Sequence, residues 1–247
     1  MKISIITAVF NGENYLADCI SSVLSQTHQD IEYIVIDGNS TDLTSTILAN
    51  YPSITKVISE PDLGLYDAIN KGLQIATGDV IGLLNSDDMF AEETVVAKIV
   101  DAFKNSPEID GIYGDLNYID PKSQRILRRW RSKQANFRDV AHGWMPAHPT
   151  LYLKKSLFNK YGNYSLDYGT AADYDFILRY IYKNKLTCKY LPFLMIKMRQ
   201  GGLSNHSIGS RISALKNDYK ALVANKLPFP LCVLILKKIT KFGQYYR

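Results

Sequence analysis

Short apolar runs alternate with amphipathic segments through the first half of the chain. Runs of roughly four to eight apolar residues are typical of buried strands, and apolar residues three and four apart are typical of helices. The pattern predicts strands at 3–9, 31–36, 57–58 and 80–84, and helices at 15–25, 43–50, 67–76 and 91–105. Alternating strands and helices favour an α/β fold with a mainly parallel sheet and helices on both faces.

The second half has a less regular pattern, and no composition shift marks a domain boundary. It predicts strands at 112–113 and 150–153, a strand or an exposed basic ribbon at 124–133, a loop at 144–149, helices at 172–184 and 208–225, and a turn at 199–202. We therefore expect a single domain over residues 1–225, followed by a tail at 226–247.

Composition narrows the class of protein without naming a function. The 247 residues include 29 Lys and Arg against 24 Asp and Glu, a net charge of +5, and 46% are hydrophobic. These values are ordinary for a globular protein and exclude a disordered chain, and the charge excess is too small to indicate nucleic-acid binding. The apolar run at 3–6 is too short for a signal peptide, and three widely spaced cysteines favour a reducing compartment. We expect a cytoplasmic protein.

Polar residues follow three of the predicted strands. Asn11 follows the first, Asp37 the second, and Asp87 with Asp88 the fourth. Ligands of parallel sheets bind beyond the carboxyl ends of the strands, so these residues are candidates for a binding site. Adjacent carboxylates repel unless a cation or hydrogen-bond donors lie between them, and their hard oxygens suit Mg²⁺ or Mn²⁺. The alternative is that Asp87 and Asp88 only favour the dipole of the following helix.

Two further residues carry a similar ambiguity. The carboxylate of Asp37 can accept hydrogen bonds from a base or a ribose, or it can stabilise a turn, and residues 40–42 read best as helix caps. Lys71 can contact a phosphate or remain solvated. The chain has no GxxxxGK[ST] loop, no GxGxxG after the first strand and no GxSxG elbow, so an ATPase, a dehydrogenase and a serine hydrolase are poorly supported.

Four segments occur in a fixed order, namely 6–11, 35–42, 60–72 and 78–88. In that order they resemble the inverting family-2 glycosyltransferases with the GT-A fold, especially the small bacterial enzymes that assemble O-antigen, capsule or colanic-acid repeats. The resemblance is dense to about Asp88 and patchier to about Ser204. It implies a GT-A-like sheet with a C-terminal extension on the acceptor side, and it divides the domain into a nucleotide-sugar half, 1–88, and an acceptor half, 89–225.

The resemblance implies a metal-dependent transfer from a nucleotide-diphosphate sugar, most often a UDP sugar. The family's base- and ribose-binding positions correspond here to Thr7, Ala8, Asn11 and Asp37. Asp87 and Asp88 match the end of its DxD motif, which holds the ribose and the diphosphate-bound Mn²⁺ or Mg²⁺. The chain departs from the family at two places, because Asn85 replaces the first acid of DxD and Gly38 replaces a second acid after the second strand.

On the acceptor side, Asp173 falls on the family's catalytic-base position, and Ala172 stands where a Glu is usual. An attacking hydroxyl must lose a proton, so one such carboxylate is needed. The alternative for Asp173 is a helix cap. His148 resembles a common acceptor-side position, with a loop histidine as the alternative, and Trp144 of the same loop is a candidate for stacking on a sugar. His206 is a possible contact to metal or phosphate.

The tail combines an apolar run at 227–236 with the basic residues Lys237, Lys238, Lys241 and Arg247. It is too short to span a bilayer, which needs about 20 apolar residues, but it suits an interfacial anchor on an anionic membrane. The alternative is a helix that packs on the core or on a second copy.

The resemblance, taken with the tail, implies an inverting hexosyltransferase at the cytoplasmic face of the inner membrane. It would move glucose or galactose from a UDP sugar to a sugar on a polyprenyl-diphosphate carrier in O-antigen (lipopolysaccharide) synthesis. One alternative is a sugar nucleotidyltransferase, although residues 10–13 lack the expected Gly-rich basic loop. Another is a non-catalytic subunit that binds nucleotide sugars in an assembly complex.

Overall fold

A computed structural model describes residues 1–201 and 208–242, so that His206 and Arg247 lie outside the described residues. The strands are β1 (Ile3–Val9), β2 (Ile31–Asp37), β3 (Lys56–Ser59), β4 (Val80–Leu83), β5 (Met89–Phe90), β6 (Gly111–Ile119), β7 (Ile126–Trp130), β8 (Tyr152–Lys154) and β9 (Cys188–Arg199). The helices are α1 (Leu16–Leu24), α2 (Thr44–Ala49), α3 (Leu65–Ile75), α4 (Val95–Asn105), α5 (Phe137–Ala141), α6 (Lys155–Tyr161), α7 (Ala172–Ile177), α8 (Ile208–Ala224) and α9 (Pro230–Phe242).

These strands form one curled sheet in the order β3-β2-β1-β4-β8-β6-β9-β5, with β7 paired to β6. The block β3-β2-β1-β4 is parallel throughout, as is the long β6–β9 pair. Strands β8, β5 and β7 join antiparallel. The prediction of a mainly parallel sheet flanked by helices is therefore confirmed.

Helices cover both faces of the parallel block, and this explains why β1 is apolar at five of its seven positions and buried at all seven. Successive side chains of a strand point to opposite faces. Ile3 and Ile5 accordingly join the core beneath α1, while Ile6 and Ala8 join the core beneath α3. Gly72 of α3 lies against Ile6, where any larger side chain would collide, so α3 packs close to the sheet.

The structure differs from the sequence pattern mainly after residue 110. The 12-residue strand β9 was not predicted, because most of its residues are only half-buried and do not alternate between apolar and polar. The predicted helix at 172–184 is divided into α7 and π-helical turns at Leu178–Lys183. The segment at 124–133 contains a strand, β7.

The apolar tail forms α9, and one side of that helix packs on the body of the protein. Val233 is buried and Leu234 packs against the core that lies beneath α3. No helix within 1–201 or 208–242 is long and apolar enough to cross a membrane.

Gly143 allows this packing, because it has φ of +84° and a Cβ there would lie 2.6 Å from the Lys237 backbone nitrogen. We expect Gly143→Ala to lower the free energy of unfolding by about 2 kcal/mol or more, through left-handed strain and the clash with α9. Gly162→Ala is the control for backbone strain without a clash, since Gly162 has φ of +82° and ψ of 166°, a region that only glycine adopts readily, and its nearest neighbour would lie 3.5 Å away. Equal losses in urea unfolding would show that the contact with α9 contributes nothing.

Glu32 connects β2 to neighbouring segments and makes stability depend on pH. Burial opposes its ionisation, but hydrogen bonds from Ser4, Thr77 and Lys56 outweigh burial and lower the pKa of Glu32 from 4.5 to about 2. A lowered pKa in the folded state gives stability that is complete above the unfolded value and is lost as pH falls toward 2. We expect Glu32→Gln to cost about 3 kcal/mol at pH 7 and much less near pH 2. An equal cost at both pH values, measured by urea unfolding, would contradict this assignment.

Candidate active site

Three parallel strands bring the first group of predicted residues to one edge of the sheet. The loops after β1 and β2 are joined there by Asn11, which has φ of +51°. Its backbone N–H donates to the Ser40 hydroxyl at 2.8 Å, and its side-chain oxygen accepts from the Thr41 N–H at 2.9 Å. These two hydrogen bonds hold the loops in register. Because Asn11 is also exposed, it still presents surface to a ligand.

Asp37 is only 1% exposed. Its carboxylate accepts hydrogen bonds from the backbone and hydroxyl of Ser40 and from the Ser59 hydroxyl at 2.6 Å. In this arrangement the Asp37 carboxylate connects the ends of β2 and β3 by hydrogen bonds. A direct contact with a ribose or base would require one of these hydroxyls to move.

Thr7 and Ala8 are buried within β1. The Thr7 hydroxyl accepts from Tyr33 at 3.2 Å, which places it in the core rather than on the ligand-facing surface. Thr7 therefore stabilises the end of β1 from within the core. Ala8 is 7% exposed and belongs to the core beneath α3.

Asp62 is a residue that the sequence analysis did not single out. Its carboxylate occupies the space that a Cβ on Gly38 would fill. The chain lacks the second acid after β2, and Asp62 places a carboxylate beside that position. The polar block at 60–72 was the signal that could have identified it.

Lys71, a candidate phosphate contact, is engaged with neighbouring groups. Its ammonium donates to the Pro61 carbonyl at 2.7 Å and forms an ion pair with Glu60 at 2.8 Å. The hydrogen bond and charge of Glu60 raise the pKa of Lys71. A phosphate would have to compete with this carboxylate.

The turn after β4 holds two carboxylates in different surroundings. Asp88 is completely buried, and its oxygens accept from the Asn85 amide at 2.8 Å and from the Arg199 backbone N–H at 3.1 Å. Burial and the charge of Asp87 raise the pKa of Asp88 well above its usual value. Asp87 is only half-buried, and burial raises its pKa as well. Of the two, Asp87 is the carboxylate that a ligand can reach.

Arg199, at the end of β9, fixes this turn from the opposite side. Its guanidinium donates to the Asp87 carbonyl at 2.9 Å, pairs with Asp18 of α1, and lies over the Tyr15 ring at 4.5 Å. Arg199 itself is 3% exposed, whereas its partner Asp18 remains exposed to solvent. Arg199 was predicted only as part of a turn, and no local pattern marks its role.

The donor set at Asp87 fits a divalent cation bound mainly by a substrate. Within 1–201 and 208–242, no group of three or more His, Cys, Asp or Glu residues converges to form a metal cage. Mg²⁺ commonly binds through one or two carboxylates together with substrate phosphates rather than in such a cage. Asp87 is a hard-oxygen ligand of that kind, while Asn85 donates its amide N–H to Asp88 and leaves Asp87 accessible.

On the acceptor side, the structure brings Asp173 and His148 together. Nδ1 of His148 lies 3.2 Å from Oδ2 of Asp173, although the two residues are far apart in the sequence. Asp173 stands in the first turn of α7 with its side chain 18% exposed, and its other oxygen accepts from the Tyr174 N–H at 2.7 Å. The carboxylate is thus oriented by two neighbours and still reachable from solvent.

Aromatic side chains surround this pair. Tyr66, in the first turn of α3, stacks on Tyr164 at 5.5 Å, and Tyr164 stacks on Phe176 at 4.2 Å. Burial, the negative charge of Asp173 and the proximity of Tyr164 raise the pKa of Tyr66 well above its usual value. The segment at 60–72 therefore contacts the acceptor half beside Asp173.

Trp144 lies half-buried at the other end of the same loop as His148. Its ring is 5.6 Å from Tyr113, which also stacks on Tyr190 at 5.8 Å. The hydroxyl of Tyr190 donates to Asp115 at 2.9 Å. Trp144 thus joins an aromatic group that ends at a buried carboxylate.

The curled, mostly parallel sheet flanked by helices defines the α/β class of fold, and comparison with known proteins identifies the family. The family model of glycosyltransferase family 2 matches residues 4–170. The chain belongs to glycosyltransferase family 2, and it is a glycosyltransferase.

Two relatives illustrate the similarity in sequence. An uncharacterized glycosyltransferase of Mycobacterium tuberculosis is 34% identical over 186 residues, which cover 72% of this chain and 68% of the relative. A PGL/p-HBAD biosynthesis glycosyltransferase of Mycobacterium bovis is 29% identical over 210 residues, covering 82% of this chain and 78% of the relative.

Two solved structures share the fold. Staphylococcus aureus TarS 1–349 in complex with UDP-GlcNAc matches with a TM-score of 0.68 at 15% identity, covering all of this chain and 93% of that one. The mannosyltransferase PcManGT from Pyrobaculum calidifontis, in complex with GDP-Man and Mn²⁺, matches with a TM-score of 0.64 at 15% identity, covering 96% and 68%. These likenesses confirm the GT-A fold expected from the sequence.

Proposed function

We propose that the protein transfers a hexose, glucose or galactose, from a UDP sugar to a sugar on a polyprenyl-diphosphate carrier, with inversion of the anomeric centre. The setting would be the assembly of a bacterial surface polysaccharide such as O-antigen, on the cytoplasmic face of the inner membrane. The observation that carries the proposal is the Asp173–His148 pair beside Tyr66. It places a solvent-accessible carboxylate, the proposed base, next to the segment at 60–72, which also contains Asp62 and Lys71.

Inverting transfer is a single displacement, and each group has one task in it. The acceptor hydroxyl attacks the anomeric carbon as Asp173 takes its proton, and the nucleoside diphosphate leaves from the opposite side. His148 holds one oxygen of Asp173 at 3.2 Å, so it acts as a positioning residue. Asp87 would hold a divalent cation on the diphosphate, and that cation would offset the charge of the leaving group.

Asn11 and Asp62 are the proposed contacts to the nucleoside, and Asp37 is proposed to act with Ser40 and Ser59. These side chains meet at the edge where β1, β2 and β3 end. Lys71 is proposed to approach the diphosphate by exchanging Glu60 for a phosphate. Asp88 supports Asp87 in this scheme, because both of its oxygens are already engaged.

Thermal unfolding with UDP, GDP, CMP and ADP, each with and without Mn²⁺, tests the donor part of the proposal. A ligand that binds only the folded state raises the melting temperature by mass action. We expect UDP with Mn²⁺ to give the largest rise. A larger rise with GDP would replace the UDP sugar by a GDP sugar, and no rise with any nucleotide would contradict the site assignment.

His148→Asn tests the proposed positioning role. We expect kcat to fall about tenfold at unchanged KM for the donor, because the loss affects the orientation of Asp173 and not the nucleotide edge. His142→Asn is the control, since His142 is exposed and its ring lies 2.7 Å from the Arg138 carbonyl, away from Asp173. Equal turnover of the two variants would remove His148 from the mechanism.

A further inference from the structure

Helix α9 has two apolar faces, and only one of them is covered. Val233 and Leu234 pack inward, and Lys237 lies on the same side. A helix advances about 100° per residue, so the opposite side carries a stripe of outward residues. That stripe, called here the outer face, consists of Leu231, Cys232, Ile235, Leu236 and Ile239.

The outer face is strongly exposed for an apolar surface. Leu231 is 63% exposed, Ile235 60% and Ile239 59%, and Phe229 just before the helix is 77% exposed. Exposed apolar residues that stand singly need no explanation, but a continuous stripe of them marks an interaction surface.

The charge around this stripe indicates the kind of partner. Residues 219–247 contain six Lys and Arg and no Asp or Glu, which leaves 23 basic and 24 acidic side chains in the preceding 218 residues. The positive net charge of the protein therefore resides in its last segment. A second copy bound symmetrically would place this basic segment against itself, and like charges would oppose that contact. An anionic surface complements it.

The inner face of α9 reaches the acceptor side of the candidate active site. The Lys237 ammonium lies 3.4 Å from the centre of the Tyr174 ring and 2.9 Å from Asp218. Tyr174 directly follows Asp173, and the helix backbone packs on Gly143 next to Trp144. One helix diameter, about 10 Å, thus separates the outer face from the segment that carries the proposed base.

We propose that the outer face of α9 docks the protein on an anionic lipid bilayer, with the apolar stripe in the interface and the exposed Lys238 at the headgroups. This inference rests on the proposed function only in its consequence, that docking brings a lipid-linked acceptor beside Asp173. The docking itself follows from exposure and charge.

Sedimentation of the full chain with vesicles tests the proposal. Vesicles of phosphatidylcholine alone are compared with vesicles in which one third of the lipid is phosphatidylglycerol. We expect the protein to sediment with the anionic vesicles, and we expect Ile235→Ser/Ile239→Ser to weaken that binding about thirtyfold or more. Lys238→Gln should weaken it about fivefold. The control Val57→Ser/Ile126→Ser removes two exposed apolar residues elsewhere and should bind like the wild type.

Three results would overturn the proposal. The first is binding by Ile235→Ser/Ile239→Ser within twofold of the wild type, and the second is equal binding to both kinds of vesicle. The third is a wild-type dimer that this variant converts to a monomer while neither binds vesicles, which would assign the outer face to a second copy.

Stabilisation by UDP with Mn²⁺, measured without vesicles on each variant, verifies folding. It also separates the two proposals. Absent vesicle binding with intact UDP stabilisation rejects the docking surface alone, and vesicle binding without UDP stabilisation rejects the proposed function alone.

Discussion

Asp173→Asn is expected to lower kcat about a thousandfold while UDP-dependent stabilisation remains unchanged. General-base catalysis contributes roughly a hundredfold to ten-thousandfold, and the amide cannot take the proton of the attacking hydroxyl. The substitution keeps the shape of the side chain and removes its charge. Transfer is measured with a UDP sugar and a lipid-diphosphate acceptor, and nucleotide binding by the shift in melting temperature.

Asp167→Asn is the matched control, because Asp167 lies in the preceding turn, is exposed, and interacts with Ser165. It should keep the turnover of the wild type. If Asp173→Asn retained more than a tenth of the wild-type kcat, the base would have to be another group. If both variants lost turnover, the segment before α7, and not the carboxylate of Asp173, would be the cause.

Asp87→Ala is expected to weaken the binding of UDP in the presence of Mn²⁺ about a hundredfold. The cation would lose the accessible carboxylate of the turn after β4 and would be held mainly by substrate and solvent oxygens. At a fixed excess of ligand, a hundredfold loss removes about 2.7 kcal/mol of ligand-induced stabilisation. Titration of UDP against Mn²⁺-loaded protein measures the change directly.

Asp79→Ala provides the control for this experiment. Asp79 is exposed at the opposite end of β4, where it accepts from the Lys2 backbone N–H at 2.8 Å. It should leave the affinity for UDP unchanged. An Asp87→Ala variant that bound UDP with wild-type affinity, and with the same response to Mn²⁺, would show that the cation is not held by Asp87.

The parallel block was predictable because every element in it has a local signature. β1 and β2 are short apolar runs, α1 and α3 have apolar residues at helical spacing, and Gly78 ends the segment that contains α3. The strand-end residues Asn11 and Asp87 followed from this pattern alone, since parallel strands place their carboxyl ends at one edge.

The acceptor side was less predictable, because its contacts join residues that are distant in sequence. β9 pairs with β6 and shows no alternation of its own. Arg199 acts through neighbours from other segments and no adjacent residue signals it, whereas the polar block at 60–72 was a local signal for Asp62. The resemblance to family 2 indicated Asp173 and His148, but only the fold shows that they lie 3.2 Å apart.

Few residue pairs join the parallel block of the sheet to the strand that follows it, β8. β4 contacts β8 through two residue pairs, at Val80 and Ile81, and β8 contacts β6 through two more, whereas β1 and β2 share seven. Changes in β8 therefore disturb few hydrogen bonds of the parallel block, whereas Arg199 of β9 bonds directly to the turn after β4. Under the proposed function, new acceptor preferences would arise from substitutions beyond β4 that leave Arg199 unchanged, while nucleotide recognition would be inherited intact.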